Sequence, residues 1–306
     1  MKNIIITGAT SMLGLALIDE CIKNETHVTA VVRDGSNKKN LVPNSKLVTI
    51  VECDISRIAE LNSIKQTYDA FYHFAWEGTQ NTDRDNVCTQ NQNISYTLEA
   101  ICLAQALNCK KFVYAGSQAE YGRVEGVIYP EIPVSPESAY GVAKYTAGKL
   151  SSILARQIGL DFIWTRIFSI YGIHDNPSTM IMYCITSLLK GVKPVLTPCE
   201  QLWDYLNSRD AANALYLLGQ KGHASTIYNI GSGTAPPLLE YVQAIRDIIN
   251  PNLPLGIGER DYAPKQIMHL CPDISALKHD TGFKPMIHFS SGINETIKWQ
   301  AKGCRI

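Results

Sequence analysis

The chain has 306 residues and a hydrophobic share of 45%, enough for one large α/β domain or a domain with a smaller lobe, and too apolar for wholesale disorder. Lysine plus arginine equals aspartate plus glutamate at 28 each, so no overall field draws the protein to nucleic acid or to an anionic membrane. Nine cysteines include no C-x-x-C pair, which points away from a disulfide framework and from a zinc site; no metal is expected. Cys21, Cys102 and Cys184 fall within apolar segments, where a free thiol behaves as a small hydrophobe. The opening run Met1–Ile6 is too short for a signal peptide, and no apolar stretch is long enough to span a bilayer, so a cytoplasmic protein is expected.

The first predicted strand, Ile4–Ile6, runs into Thr7-Gly8-Ala9-Thr10-Ser11-Met12-Leu13-Gly14, which opens a helix over Leu13–Lys23. A strand, a glycine-bearing turn and a helix start are the context in which backbone N–H groups and the helix dipole hold a pyrophosphate. The spacing is G-x-x-S-x-x-G, with Ser11 in the usual place of a middle glycine; serine is small enough for close approach, and its hydroxyl adds a donor. Gly8, Thr10, Ser11, Met12, Leu13 and Gly14 are therefore the expected phosphate cradle. The second strand, Val28–Val32, ends at Arg33-Asp34. With the tip at Val32/Arg33, a guanidinium stands where a 2′-phosphate would lie, which favours NADP; a shift of one residue would bring in Asp34 and favour NAD.

Further strands are predicted at Val48–Val51, Ala70–His73, Lys111–Tyr114 and Asp161–Arg166, with a helix at Ile94–Leu107. Such alternation predicts a Rossmann-type doubly wound α/β fold, a parallel sheet covered by helices on both faces. His73 ends a strand pattern and reads as a structural histidine; His174, His269 and His288 show no ligand spacing. Trp76-Glu77-Gly78 follows the fourth strand and is either a pocket wall or an ordinary loop. Ser117 lies just past the fifth strand, where open α/β sheets bind ligands, and Tyr121 is expected at the mouth of that site.

Ser135–Ala139 reads as a turn entering a helix, on which Tyr140 and Lys144, four residues apart, share a face. A phenol beside an ammonium suits proton transfer. Lowering a tyrosine from about 10 to near neutrality needs roughly 4 kcal/mol of differential stabilisation, for which Lys144 and an oxidised nicotinamide are the candidate cations. After Gly172, prolines punctuate short elements. Residues 1–172 are expected to form the dinucleotide-binding domain, with a later strand and helix from about 195–235, and residues 173–306 mainly a small substrate-binding lobe.

With these segments in place, the chain resembles an extended short-chain dehydrogenase/reductase of the NAD(P)-dependent epimerase/dehydratase family, which acts mostly on nucleotide-activated sugars. Cys53-Asp54-Ile55 resembles the family's adenine-contacting stretch. His73-Phe74-Ala75-Trp76 is similar to its fourth-strand motif beside the cofactor, and Asn93-Ile94-Ser95-Tyr96-Thr97 to its Asn-Val-x-Gly-Thr helix. Arg166–Gly172, containing Ile167 and Ser169, resembles the segment that closes over nicotinamide and starts the substrate site; Trp203–Leu206 and Tyr228–Gly233 resemble later landmarks.

The resemblance implies Ser117, Tyr140 and Lys144 as the catalytic set, with Tyr140 and Lys144 also touching the cofactor. It implies further cofactor contacts from Asp54, Ile55, Phe74, Ala75, Trp76, Asn93 and Ile167, and substrate contacts from Trp76, Ser117, Gln118, Ser169 and Trp203. A homodimer through the Ile94–Leu107 and Tyr140–Ile158 helices is implied as well. Members often carry Asn at the place of Ser169 and Arg at the place of Trp203, so the usual diphosphate contacts are altered; Trp203 either stacks on a base or sugar face or packs in the lobe. Dehydratases of the family carry an Asp-Glu pair directly after the triad Ser/Thr, but here Gln118-Ala119 follows Ser117, which discounts that chemistry. Reduction of a 4-keto nucleotide sugar is the leading expectation and 4-epimerisation with bound NAD the alternative; a non-catalytic NAD(P)-binding regulator is the remote one.

Overall fold

Apolar runs rich in β-branched residues suit strands buried on both faces, and Ile4, Ile5 and Ile6 are each 0% exposed at the centre of the sheet. The computed structural model describes residues 1–303. In chain order the first half holds β1 (Asn3–Thr7), α1 (Met12–Lys23), β2 (His27–Val32), β3 (Val48–Glu52), β4 (Ala70–His73), α2 (Val87–Ala106), β5 (Lys111–Ser117), β6 (Val127–Ile128) and α3 (Ala139–Ile158). Then follow β7 (Asp161–Ile167), β8 (Ser169–Tyr171), α4 (Met180–Leu189), β9 (Leu202–Trp203), β10 (Tyr205–Asn207), α5 (Ser208–Lys221) and β11 (Ile227–Ile230). The last elements are α6 (Leu238–Ile249), β12 (His269–Pro272), α7 (Ser275–Thr281) and α8 (Phe289–Gly303).

Seven strands form one sheet in the order β11-β7-β5-β4-β1-β2-β3, every neighbouring pair parallel, which is the doubly wound architecture. Side chains alternate across it. Ile4 and Ile6 meet Leu17 and Ile18 of α1 and Leu215 and Leu218 of α5. Ile5 and Phe71 face Ile101 and Ala104 of α2 and Ala147 of α3. The chain winds from β1 outwards through β2 and β3, then returns to the other side of β1 at β4. That reversal leaves a crevice at the C-terminal ends of β1 and β4, where open α/β sheets take ligands.

Two boundaries differ from expectation. Helix α2 starts at Val87 because the Asn86 side chain caps it, accepting from the Thr89 amide at 3.2 Å. Its first turns carry the buried polar residues Gln90 and Asn93, which break the apolar period read from sequence. Strand β5 continues to Ser117, with Ala115, Gly116 and Ser117 in register with Thr165, Arg166 and Ile167. Beyond the main sheet, α4, α6 and α8 pack through Ile185, Val242, Ile245 and Ile293 into a separate apolar cluster. Two small parallel sheets, β10-β8 and β6-β12-β9, join that region to the main sheet.

Cys102 departs from its expected role. It lies on the outward face of α2 and is exposed, while its neighbours Ile101 and Leu103 carry the packing; Cys21 and Cys184 are buried. Tyr121 is also a correction. It is 1% exposed, donates to Asn229 Oδ1 at 2.6 Å and lies under the Arg166 guanidinium, so it belongs to the core and not to the mouth of a site. Among the described residues no helix is long and apolar enough to cross a membrane, and no cluster of His, Cys, Asp and Glu is arranged to hold a metal ion.

Candidate active site

The crevice is built first from the turn after β1. Gly8 has φ +68°, and a Cβ there would lie 2.7 Å from the Ala75 amide nitrogen, so only glycine lets the turn pass so close to the end of β4. Ser11 caps α1, accepting from the Gly14 amide at 3.0 Å and donating to the Gly8 carbonyl at 2.8 Å. Its hydroxyl therefore closes the turn instead of pointing free into the crevice. The amides of Met12 and Leu13, in the first turn of α1, remain directed out of the helix end as donors for an anion. Thr10 sits half-buried on the same turn. A close-packed glycine, a capped helix start and outward amides fit a dinucleotide diphosphate.

At the tip of β2, Arg33 and Asp34 are both exposed. Asp34 is paired with Arg57, whereas the Arg33 side chain makes no hydrogen bond or ion pair among the described residues; only its backbone carbonyl is engaged, accepting from the Ser36 amide at 3.1 Å. Asp54 caps the turn that holds Ile55, accepting from the Ser56 amide at 3.0 Å and hydroxyl at 2.7 Å; these bonds, then the nearby Arg33 and Arg57 charges, hold its carboxyl below the usual range against a partial desolvation.

Beyond β4, Phe74, Ala75 and Trp76 are half-buried along the crevice. Asn93 clamps this segment, donating to the Glu77 carbonyl at 3.0 Å and accepting from the Glu77 amide at 2.8 Å. Gln90 takes the Trp76 indole N–H at 2.8 Å. His73 bonds Thr7 at 3.0 Å and Thr97 at 3.3 Å, and burial, aided by the Lys144 charge, pushes it down to about 3, so a neutral imidazole ties β1, β4 and α2.

Ser117 ends β5 and is 8% exposed. Its Oγ accepts from the Ala119 amide at 3.1 Å, while Glu120 Oε1 accepts from the Ser117 amide at 2.8 Å, a reciprocal capping box. The Ser-x-x-Glu spacing of this box is legible in the chain, and the burial of Glu120 is not. Glu120 is fully buried and pairs with buried Arg166 at 2.7 Å. Helix α3 starts under the Ser138 cap, whose Oγ accepts from the Gly141 amide at 3.1 Å. A Cβ on Gly141 would lie 2.4 Å from the Ala119 carbonyl, so glycine lets the helix start pack on the Ser117 turn.

Tyr140 thereby comes within hydrogen-bonding reach of Ser117. Burial pushes its phenol upward, opposed by the Arg84 charge and the Ser117 bond. One turn along, Lys144 is 4% exposed and donates to the Ala115 carbonyl at 2.8 Å; its Nζ lies 3.7 Å from the Trp76 ring centroid. Burial, with a smaller contribution from Arg84 and against Glu120, lowers Lys144 to about 7. Ser117, Tyr140 and Lys144, distant in sequence, thus converge at the ends of β4 and β5.

Ile167 and Ser169 flank the exit of β7 and are half-buried. Trp203 donates its indole N–H to Ser169 Oγ at 2.9 Å and packs between the α4–α6–α8 cluster and a small apolar group of Tyr121, Ile128, Phe168 and Leu270. The two positions that depart from the resembled pattern are therefore partners of each other. Beside Ser117, the Gln118 side-chain oxygen is closed off from solvent with no protein hydrogen bond. Asp204, within the Trp203–Leu206 landmark but given no role there, accepts from the amides of Ser232, Gly233 and Thr234 and fixes that turn against β9 and β10.

The fold is shared with known proteins. The model of the NAD dependent epimerase/dehydratase family matches residues 4–231. The chain is 26% identical to dTDP-glucose 4,6-dehydratase of Streptomyces niveus over 97% of this chain and 92% of that protein. In fold it is similar to UDP-N-acetylglucosamine 4-epimerase of Methanobrevibacter ruminantium M1, solved with UDP-N-acetylmuramic acid (TM-score 0.87, 24% identity, 99% of both chains). It is likewise similar to UDP-glucuronic acid 4-epimerase of Bacillus cereus, solved with NAD (TM-score 0.85, 18% identity, 99% of this chain and 100% of that one). A match over most of the chain, from the β1 turn through the Tyr140 helix to the last strand of the main sheet, means that this protein belongs to the NAD dependent epimerase/dehydratase family.

Proposed function

We propose that the protein catalyses hydride exchange at a carbonyl-bearing carbon of a nucleotide-activated sugar, with net reduction of a 4-keto sugar as the leading reading. The observation that carries it is the convergence of Ser117, Tyr140 and Lys144 beside the Gly8 cradle. Bound nicotinamide supplies the site that takes or gives the hydride. Ser117 holds the sugar oxygen, Tyr140 moves its proton, and Lys144 poises the phenol and bonds the cofactor ribose. Trp76, Gln118, Ser169 and Trp203 form the substrate wall, and the lobe after residue 172 carries most of the nucleotide contacts.

NADP is the proposed cofactor. Asp34 is engaged by Arg57, while the Arg33 side chain has no hydrogen-bond or ion-pair partner among the described residues, which supports a 2′-phosphate partner and a dissociable reductant. One charge-assisted bond contributes about 1.5–3 kcal/mol, roughly tenfold to a hundredfold in affinity. Arg33→Ala is expected to weaken NADP by that factor with little effect on NAD, read by fluorescence titration; equal losses for both would return the choice to NAD.

Epimerisation at C4 is the second reading. It is favoured by the 4-epimerases among the similar structures and by Gln118-Ala119 in place of the carboxylates that dehydration would need. Purified protein offered 4-keto nucleotide sugars should oxidise NADPH, followed by absorbance. Interconversion of two sugars without NADPH consumption would replace the reductase reading by the epimerase one. A homodimer is also proposed: Val142, Leu150 and Ile153 are 48%, 41% and 49% exposed on the outer face of α3, which packs beside α2.

A further inference from the structure

The guanidinium of Arg84 lies 4.1 Å from the centroid of the Tyr140 ring. No motif or spacing marks this arginine, which sits in a polar stretch between β4 and α2. The contact is nonetheless built. Arg84 belongs to the short turn Asn81–Asp85, and that turn is held from both sides. Gln90, 1% exposed on α2, donates its side-chain amide to the carbonyls of Gly78 at 2.7 Å and Asp83 at 3.0 Å. Asp85 Oδ1 accepts from the amide of Ala139, the first residue of α3, at 3.2 Å. The turn is thus tied directly to the helix that carries Tyr140. Arg84 itself donates to the Thr79 carbonyl at 3.4 Å and forms no ion pair among the described residues; the carboxylates of Asp83 and Asp85 flank it in the turn, and that of Asp85 is turned to the Ala139 amide.

The groups facing Tyr140 come from three other places. Lys144, on the same helix, has its Nζ 5.8 Å from the ring centroid, but it donates to Ala115 and lies closer to Trp76. Glu120 and Ser117 face it from the end of β5, and Trp76 meets the ring edge-on at 6.1 Å. Burial draws Lys144 to about 7, which weakens it as a cation near neutrality, whereas a guanidinium keeps its proton at any working pH. A cation over an aromatic face is attracted to it, and more strongly once the ring is ionised.

We propose that Arg84 is a positioning residue for proton transfer: its permanent charge over the Tyr140 ring favours the phenolate and fixes the ring between Trp76 and Ser117. This rests on the reading of Tyr140 as the proton carrier. The phenolate absorbance of Tyr140, isolated as the difference between each protein and its Tyr140→Phe counterpart, gives the titration midpoint directly. Arg84→Gln should move that midpoint up by about one pH unit, about tenfold less phenolate at a given pH, and Arg84→Lys by less. The rising limb of sugar oxidation should move by the same amount. An unmoved midpoint in both variants, with turnover lowered or not, overturns the proposal and leaves Arg84 a structural or substrate contact. If Tyr140→Phe retains full turnover, the proton-carrier reading fails separately, and the midpoint shift still reports whether Arg84 acts on the phenol. Should Arg84→Gln fold poorly, Arg84→Met and Arg84→Lys repeat the same titration.

Discussion

Tyr140→Phe is expected to lower turnover by about 10²–10⁴-fold, the range a positioned general acid or base contributes, while leaving cofactor affinity nearly unchanged. The substitution removes one oxygen and keeps the ring, so the contacts with Arg84 and Trp76 persist and the fold should hold. What is lost is the bond to Ser117 and the ionisable proton. Burial raises the phenol, so ionising it near neutrality requires positive charge from Arg84, Lys144 and bound oxidised nicotinamide together. Bringing a phenol from about 10 to near 7 corresponds to roughly 4 kcal/mol, more than a single surface pair supplies. Steady-state turnover with a sugar substrate, beside cofactor titration and a thermal melt, checks this. Unaltered turnover would remove Tyr140 from the chemistry.

The second large effect concerns stability. Glu120→Ala should destabilise the protein by about 3–5 kcal/mol, because it leaves the Arg166 guanidinium buried without its partner. The pair is 2% and 0% exposed; apart from Glu120, Arg166 meets the Pro130 carbonyl at 3.0 Å, the Tyr121 side chain and the Trp164 ring, none of them a counter-charge. Arg166→Met should cost a similar amount. The double variant should cost clearly less than the sum of the two, since no unpaired charge remains. Denaturant midpoints with unchanged slopes measure all three. Glu120→Ala should also lower turnover more than Arg166→Met does, because Glu120 alone holds the Ser117 amide. Full additivity would mean that the ion pair is not the source of the loss.

The fold was readable because its signals are local. Ile4–Ile6, the glycine turn and a capped helix follow one another within fifteen residues or so, and strand–helix alternation leads to a parallel sheet by chain geometry alone. Misplacements arose where polar side chains do structural work inside an element. Gln90 and Asn93 hide the start of α2, and Cys102 looks apolar by its neighbours yet faces outwards. Tyr121 follows Ser117 closely in the chain, but β5 ends in a turn that sends it inward to Asn229.

By itself, the sequence determined the family, the doubly wound sheet and the presence of Tyr140 and Lys144 on one helical face, since a helix brings residues four apart together wherever it lies. Only the tertiary structure decided what surrounds that face. Arg84 over the Tyr140 ring, Glu120 against Arg166 and the Trp203 indole on Ser169 join segments that no spacing rule connects. Such contacts depend on which strand ends the sheet order places side by side, and a parallel sheet makes those neighbours from residues far apart in the chain.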